Sequence, residues 1–225
     1  MKGVEKLFLM RPPHISNTKK YMLPVIEAAR IAGVKHIVFL SLLGVEKNPI
    51  VPHYKVEKAI QKSTIPYTFL RPSFFMQNLI QQHGEEIRRD REIFVPAGNG
   101  KTSFIDVRDI AAVAVKALTE EHHENKAYSL TGSDALTYYE VATILSEELG
   151  MDFTYTNPSI KQFKEKMKAK GIPTEFITVM IGIYLTAKLG LAKKITDDLA
   201  MILERKPITV RQFVKDYREE FLMEN

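Results

Sequence analysis

The segment Leu70-Arg71-Pro72-Ser73-Phe74-Phe75-Met76 concentrates the side chains best able to hold a flat ligand. It offers a cation, a rigid bend and two planar apolar rings. Tyr67 to Leu70, β-branched and aromatic, reads as a strand. Pro72 stops it, because proline brings no N–H to a ladder, and Ser73 is expected to cap a new helix. Ligands of parallel α/β sheets bind beyond the carboxyl ends of the strands, where this turn would sit. As core residues Phe74, Phe75 and Met76 need no ligand, so both readings stand. Tyr54 and Lys58 match the Tyr-x-x-x-Lys spacing in which the ammonium lowers the phenol's pKa for proton transfer. Arg11 follows a first strand and suits either an anionic group or plain solvent.

Other motifs carry less chemistry. Gly98-Asn99-Gly100-Lys101-Thr102 has the composition of a phosphate loop, but Val95 stands where the first glycine is required. The following Ser103-Phe104-Ile105 reads as strand, so a hairpin turn is expected. His14 and the pair His122-His123 lack partners at metal-ligand spacing, and no metal site is expected. Asp106 and Asp109 suit helix capping.

The elements that must position these residues follow from periodicity. Val4–Met10 is a predicted strand ending in Arg11-Pro12-Pro13. Ser16, Asn17 or Thr18 caps a helix whose Met22, Val25, Ile26 and Ala29 recur at helical spacing, and Gly33 closes it. His36–Leu40 is a continuous apolar run, as in a strand buried on both faces, and it ends at Ser41. A helix from about His53 to Gln61 precedes the Tyr67 strand. Two consecutive crossovers of this kind give a parallel sheet. Short strands are predicted at Phe94–Pro96, Thr102–Ile105 and Ala127–Leu130. Asp106 caps a periodic helix, Thr137 and Glu140 form a capping box for a helix that Gly150 ends, and Thr209 with Gln212 forms a second. Thr196 is expected to cap another helix in a mostly helical region after Pro158.

Several of these blocks together resemble the NmrA-like family of atypical short-chain dehydrogenases/reductases. They are Arg11-Pro12-Pro13, Ala32-Gly33-Val34-Lys35-His36-Ile37-Val38, the Leu70–Asn78 segment, Phe104-Ile105-Asp106-Val107-Arg108-Asp109-Ile110-Ala111, and the tail Ile195–Leu199 with Arg205-Lys206-Pro207. Glu204 departs from the pattern, standing where a glycine is usual. The resemblance implies a Rossmann fold that binds NAD(P)H and passes a hydride to flat acceptors such as quinones or azo dyes. The cofactor side would then involve Met10, Arg11, Pro12, Ser41, His53, Arg71, Pro72, Ser73 and Phe74, and the acceptor would meet Phe74, Phe75 and Met76. Extended relatives place a glutamate four residues after the catalytic lysine. Glu57 lies four after His53, so His53 takes the lysine slot and Pro49 the tyrosine slot. That register competes with the Tyr54/Lys58 pair, and a water-exposed His53 is the plain alternative.

The resemblance also exposes a gap. Neither G-x-G-x-x-G nor G-x-x-G-x-x-G occurs, so no backbone cradle for a diphosphate is present in the sequence. The expected architecture is a partial Rossmann-like parallel sheet lacking its first βαβαβ half, over 1–150, with a small mostly helical C-terminal lobe over 151–225. About 60–75 residues of the family fold would be absent at roughly 30 per βαβ unit. Each charge-assisted phosphate bond is worth about 1.5–3 kcal/mol, so losing two or three costs about a thousandfold in affinity. The chain alone is expected to hold NAD(P)H poorly. Val4–Met10 is expected to become an exposed edge that favours homodimers or aggregation.

Composition bounds the remainder. The 225 residues carry net charge +5, 45% apolar residues and no cysteine, which excludes disulfides and thiolate chemistry. The start lacks an apolar leader run, and Phe176–Leu191 falls short of the roughly 18–20 residues of a membrane span. A cytoplasmic protein with a small-molecule partner, neither nucleic acid nor membrane, is the expectation. The lysines between Lys161 and Lys170 read as a solvated helix face. Three functions compete: an NAD(P)H-dependent reductase, a dinucleotide-sensing regulator without turnover, and an inactive fragment of a longer reductase.

Overall fold

The computed structural model describes residues 1–12, 15 and 17–223. The readings placed on Pro13, His14 and Ser16 lie outside the described residues. The elements in chain order begin β1 (Lys6–Met10), α1 (Thr18–Tyr21), α2 (Leu23–Ile31), β2 (His36–Leu40), a 3-10 turn (Val45–Lys47), α3 (Pro52–Lys62) and β3 (Tyr67–Pro72). They continue β4 (Phe74–Phe75), α4 (Asn78–Gln81), α5 (Gly84–Asp90), β5 (Glu92–Ile93), β6 (Thr102–Ile105), α6 (Val107–Thr119) and β7 (Lys126–Leu130). The remainder is β8 (Ala135–Leu136), α7 (Tyr138–Leu149), β9 (Thr154–Tyr155), α8 (Ile160–Ala169), α9 (Thr174–Lys188), α10 (Asp198–Leu203), α11 (Val210–Asp216) and α12 (Arg218–Leu222).

These elements fall into two compact units that interleave along the chain. The first comprises Met1–Ser73, Arg108–Leu130 and Thr196–Lys206; the second comprises Phe74–Val107, Thr131–Ile195 and Pro207–Asn225.

In the first unit β1, β2, β3 and β7 form a parallel sheet in that order. The apolar run of β2 makes it central: Ile37, Val38 and Phe39 are fully buried. Met22, Ile26 and Ala29 cover the sheet from one helix face, and Val56 and Ile60 from another, as their spacing requires. Asn17 caps α1 by accepting from the Lys20 N–H, and Gly33 (φ +73°) takes the left-handed turn that releases the chain into β2. β1 is hydrogen-bonded on one side only among the described residues, and Phe8 and Met10 on it are exposed. In the same unit Arg205 reaches the fully buried Asp109 carboxylate at 2.7 Å.

Several expectations need correction. Ser73 caps no helix: its N–H donates to the Leu130 carbonyl, and Phe74-Phe75 form a strand beside Phe104-Ile105. A two-residue strand after a proline leaves no alternation to read, so a helix start was the natural inference. The strand predicted at Phe94–Pro96 is Glu92–Ile93 instead, paired with Thr154-Tyr155. Consequently Gly98–Gly100 is a turn but not a hairpin, since β6 pairs with β4 and β8. Gly100 is needed there because a Cβ would meet the Ala187 carbonyl oxygen at 2.0 Å. Asp197, not Thr196, occupies the start of α10; Thr196 donates to the Ser129 carbonyl, while Asp198 accepts the Ser129 N–H at 2.6 Å. The Thr209 cap is one-sided. Its hydroxyl accepts the Gln212 N–H, but the Gln212 amide donates to Asp216. The Thr137–Glu140 box is reciprocal, and Gly150 ends α7 as expected.

The second unit has its own core, in which Phe104, Tyr138, Phe163 and Tyr184 are fully buried. Within it His83 Nε2 meets the Tyr184 hydroxyl at 2.5 Å. Burial, and to a lesser degree the nearby Lys170 ammonium, lowers the His83 pKa to about 4. No helix among the described residues is long and apolar enough to cross a membrane.

Candidate functional site at the carboxyl ends of the parallel strands

Three strand ends and one helix build the candidate site in the first unit. The sheet delivers Met10, Ser41 and Pro72 in successive rows, because β1, β2 and β3 run in parallel register. The Ser41 N–H donates to the Leu70 carbonyl at 2.7 Å and the Leu43 N–H to the Pro72 carbonyl at 3.0 Å. These bonds carry the ladder past the last paired residues and hold the β2 loop against the tip of β3. Gly44, with φ +77°, then reverses the chain into the 3-10 turn that carries Glu46.

Glu57 is the hub. It sits on the buried face of α3 with Val56 and Ile60 and is only 3% exposed. Ser41 Oγ donates to Glu57 Oε1 at 2.6 Å. Arg71 binds the same carboxylate with both prongs, Nε to Oε1 at 3.0 Å and Nη2 to Oε2 at 2.7 Å. Its third nitrogen reaches Glu46 Oε2 at 3.2 Å. Burial opposes the Arg71 charge, but the Glu57 bonds and charge outweigh it and raise the guanidinium's pKa. A forked donor meeting a planar carboxylate is the strong form of this contact. Arg71 is therefore spent on protein carboxylates.

His53 lies one turn before Glu57 on the same face of α3 and is 8% exposed. Its ring tilts against Phe39 with centroids 6.0 Å apart. Arg11 Nε donates to His53 Nε2 at 3.4 Å, and Arg11 Nη1 donates to the carbonyls of Pro12 and Ile15. Burial, then the Arg11 charge, lowers the His53 pKa to about 4. The ring is neutral at pH 7. Since Nε2 accepts, Nδ1 carries the proton, and Nδ1 is buried without a partner among the described residues. Ser73 Oγ is also buried without a partner among the described residues, just past β3.

The remaining sequence candidates stand elsewhere. Lys58 is exposed; its ammonium lies over the Tyr54 ring at 5.5 Å from the centroid and donates to Gln61, not to the Tyr54 hydroxyl. Phe74, Phe75 and Met76 belong to the second unit. There Met76 is core, and Phe74 packs edge-on against Phe104 and tilted toward Tyr184. Met10 and Pro12 supply backbone and side chain at the β1 end, with Met10 56% exposed. Sequence reasoning named Ser41, His53 and Arg71 separately and used Glu57 only for register. A glutamate at a helix position that must be buried, with an arginine fourteen residues on, was the available signal.

The NmrA-like family profile matches residues 1–213. The chain belongs to the NmrA-like family. The NAD(P)H azoreductase of Xenophilus azovorans is 35% identical over 223 residues, which cover 97% of this chain and 77% of the azoreductase. Quinone oxidoreductase 2 of Escherichia coli is 33% identical over 177 residues, covering 77% of this chain and 61% of that protein. Among solved structures, the triphenylmethane reductase of Citrobacter in complex with NADP(H) superposes with a TM-score of 0.82 at 32% identity, covering 96% of this chain and 77% of its own. The NADPH complex of an Escherichia coli quinone oxidoreductase gives a TM-score of 0.88 at 28% identity, with the same coverages of 96% and 77%. This NmrA-like chain thus has the Rossmann-type α/β fold that its sequence implied, with a parallel sheet and many helices.

Proposed function

We propose that this chain is an NAD(P)H-dependent reductase that receives the nicotinamide side of the cofactor at these strand ends and whose acceptor is a flat quinone- or azo-type molecule. The observation that carries the reading is the pair of unsatisfied buried polar groups, His53 Nδ1–H and Ser73 Oγ, at the carboxyl ends of parallel strands. A buried donor without an acceptor costs roughly 1–3 kcal/mol, and a ligand that bonds it recovers that cost. An amide and ribose hydroxyls are the chemistry these groups suit. Ser41, fixed by Glu57, lines the same strand ends. When bound, NAD(P)H would supply the hydride; the protein's part is orientation and exclusion of water. His53, neutral at pH 7, acts as a hydrogen-bond donor at Nδ1 and not as an acid.

The diphosphate end fits less well, because the sequence offers no glycine-rich turn for it. Weak retention of the dinucleotide by this chain alone is part of the proposal. The open edge of β1 is proposed to accept a further strand from another chain. A second reading, binding without turnover, draws support from the Tyr54/Lys58 pair, whose ammonium and hydroxyl are not hydrogen-bonded to each other, and from the low pKa of His53.

Two assays separate the readings. NADPH is titrated while thermal stability is followed, and NADPH oxidation is then followed with a quinone. Stabilisation only at millimolar NADPH, with quinone-dependent oxidation, is the expected outcome. Micromolar stabilisation refutes weak retention, and binding without oxidation supports the regulator.

A further inference from the structure

The two edges of the parallel sheet in the first unit differ. On β7 the Ser129 N–H donates to Asp198 and the Ser129 carbonyl accepts from Thr196, so the start of α10 closes that edge. β1 has no such cover among the described residues. The N–H groups of Ile37 and Ser41 donate to the carbonyls of Pro66 and Leu70, so odd positions of β2 face β3 and even ones face β1. In the parallel register of β1 with β2, Leu7 and Leu9 therefore make the ladder bonds. Lys6, Phe8 and Met10 turn their N–H and C=O groups outward. Their side chains share one face of the strand. Lys6 Nζ donates to the Leu118 carbonyl at 2.6 Å, which places the end of α6 on that face. Phe8 and Met10 nonetheless stay 41% and 56% exposed, and Val115, one turn before Leu118, is 58% exposed. This edge lacks both a hydrogen-bonding neighbour and an apolar cover.

We infer that the β1 edge docks a strand–turn–helix segment of a separate polypeptide, its strand parallel to β1 and its apolar helix face over Phe8 and Met10. The inference rests on the cofactor site proposed above. Outward backbone groups call for a strand, because only another backbone pairs a whole row of them. The direction follows from the site. Ser41 and Ser73 stand at the carboxyl ends of the strands, and only a parallel neighbour delivers the turn that follows it to that rim. Such a turn, if rich in glycine, offers the diphosphate the backbone N–H groups that this sequence lacks. Beyond its turn a parallel strand leads into a helix that crosses a sheet face, and the face left open is the one carrying Phe8 and Met10. A second copy's β1 pairing antiparallel would bring neither a helix over Phe8 nor a turn to the rim. The relatives carry chain enough for such a segment. The Xenophilus azoreductase and the Citrobacter reductase are each matched over 77% of their length, so part of each lies outside the match.

The probe is the part of the Xenophilus azoreductase outside the match, co-expressed as a separate polypeptide with the full chain. The two are expected to co-purify as a one-to-one complex. Phe8→Pro removes an outward N–H and the exposed ring, a change an edge strand tolerates. It is expected to abolish the complex while the chain's circular dichroism and melting temperature stay as they are. Leu9→Pro, which removes an N–H bonded to β2, is expected to lower the melting temperature and so confirms the assigned direction of these groups. NADPH is expected to bind the complex about a hundredfold or more tighter than the chain alone. A complex that binds NADPH no better supports the docking and refutes the cofactor site. Failure to co-purify, including a probe recovered only as insoluble material, overturns the inference. So does a complex that Phe8→Pro leaves intact. A homodimer of the chain that forms in place of the complex and is lost in Phe8→Pro also overturns it, by assigning the edge to a second copy.

Discussion

Arg71 grips Glu57 with two parallel hydrogen bonds, at 3.0 and 2.7 Å, and both side chains are largely withdrawn from water. One partner alone would be a buried uncompensated charge, and breaking such a pair costs about 3–5 kcal/mol. Glu57→Gln keeps the shape and removes the charge, so a loss of about 2–3 kcal/mol is expected in urea unfolding. Glu57→Gln combined with Arg71→Met should cost clearly less than the sum of the two single changes. Simple additivity would show that the pair is not coupled.

Stability should depend on pH through two histidines. His53 and His83 both have folded-state pKa values lowered to about 4, while an unfolded histidine titrates near 6.5. Between those values the unfolded chain binds more protons, so stability rises with pH. The contribution is fully present above about pH 6.5 and is lost as pH falls through about 4. The unfolding midpoint is expected to drop steeply from pH 6.5 to 4.5, and His83→Gln to flatten that slope. An unchanged slope would show that His83 does not hold its proton state in the fold.

Glu204 ends α10 in the left-handed conformation, with φ +53°. An L-residue there costs roughly 1–2 kcal/mol that glycine avoids. Glu204→Gly is expected to stabilise the chain by about 0.5–1 kcal/mol, while Glu204→Ala gains nothing. Equal melting temperatures for the glycine and alanine variants would refute this account.

Gly100 offers the opposite case. A methyl group there would meet the Ala187 carbonyl oxygen at 2.0 Å, and backbone cannot swing aside as a side chain can. Gly100→Ala is expected to cost about 1–3 kcal/mol. Gly150→Ala, which meets no neighbouring atom but has positive φ, serves as the comparison for strain without collision.

How much of this was legible in the sequence differs by element. The apolar runs of β2 and β3 and the helical spacing of Met22, Ile26 and Ala29 gave the parallel sheet, because burial on two faces leaves a strong compositional trace. Gly33, Gly150 and the Thr137–Glu140 box were readable because each satisfies backbone groups locally. β4 and β5 were not, since two-residue strands carry no period. The site was half legible. Ser41, His53 and Arg71 could be named one by one, but the carboxylate joining Ser41 to Arg71 is a tertiary contact. Periodicity says only that Glu57 faces inward, not which cation waits there. Thr196 was misread for a related reason: its hydroxyl goes to the carbonyl of Ser129, far away in sequence.

Arg71 touches two acids that lie on separate parts of one crossover, Glu46 on the 3-10 turn and Glu57 on α3. A single guanidinium thereby staples the entry and the middle of the β2–β3 connection to the tip of the strand that follows. The turn cannot swing open without first surrendering a charge contact, so this rim is set before any ligand arrives. For the dinucleotide proposed at these strand ends, the surface would be arranged in advance, with the entropy of arranging it spent during folding.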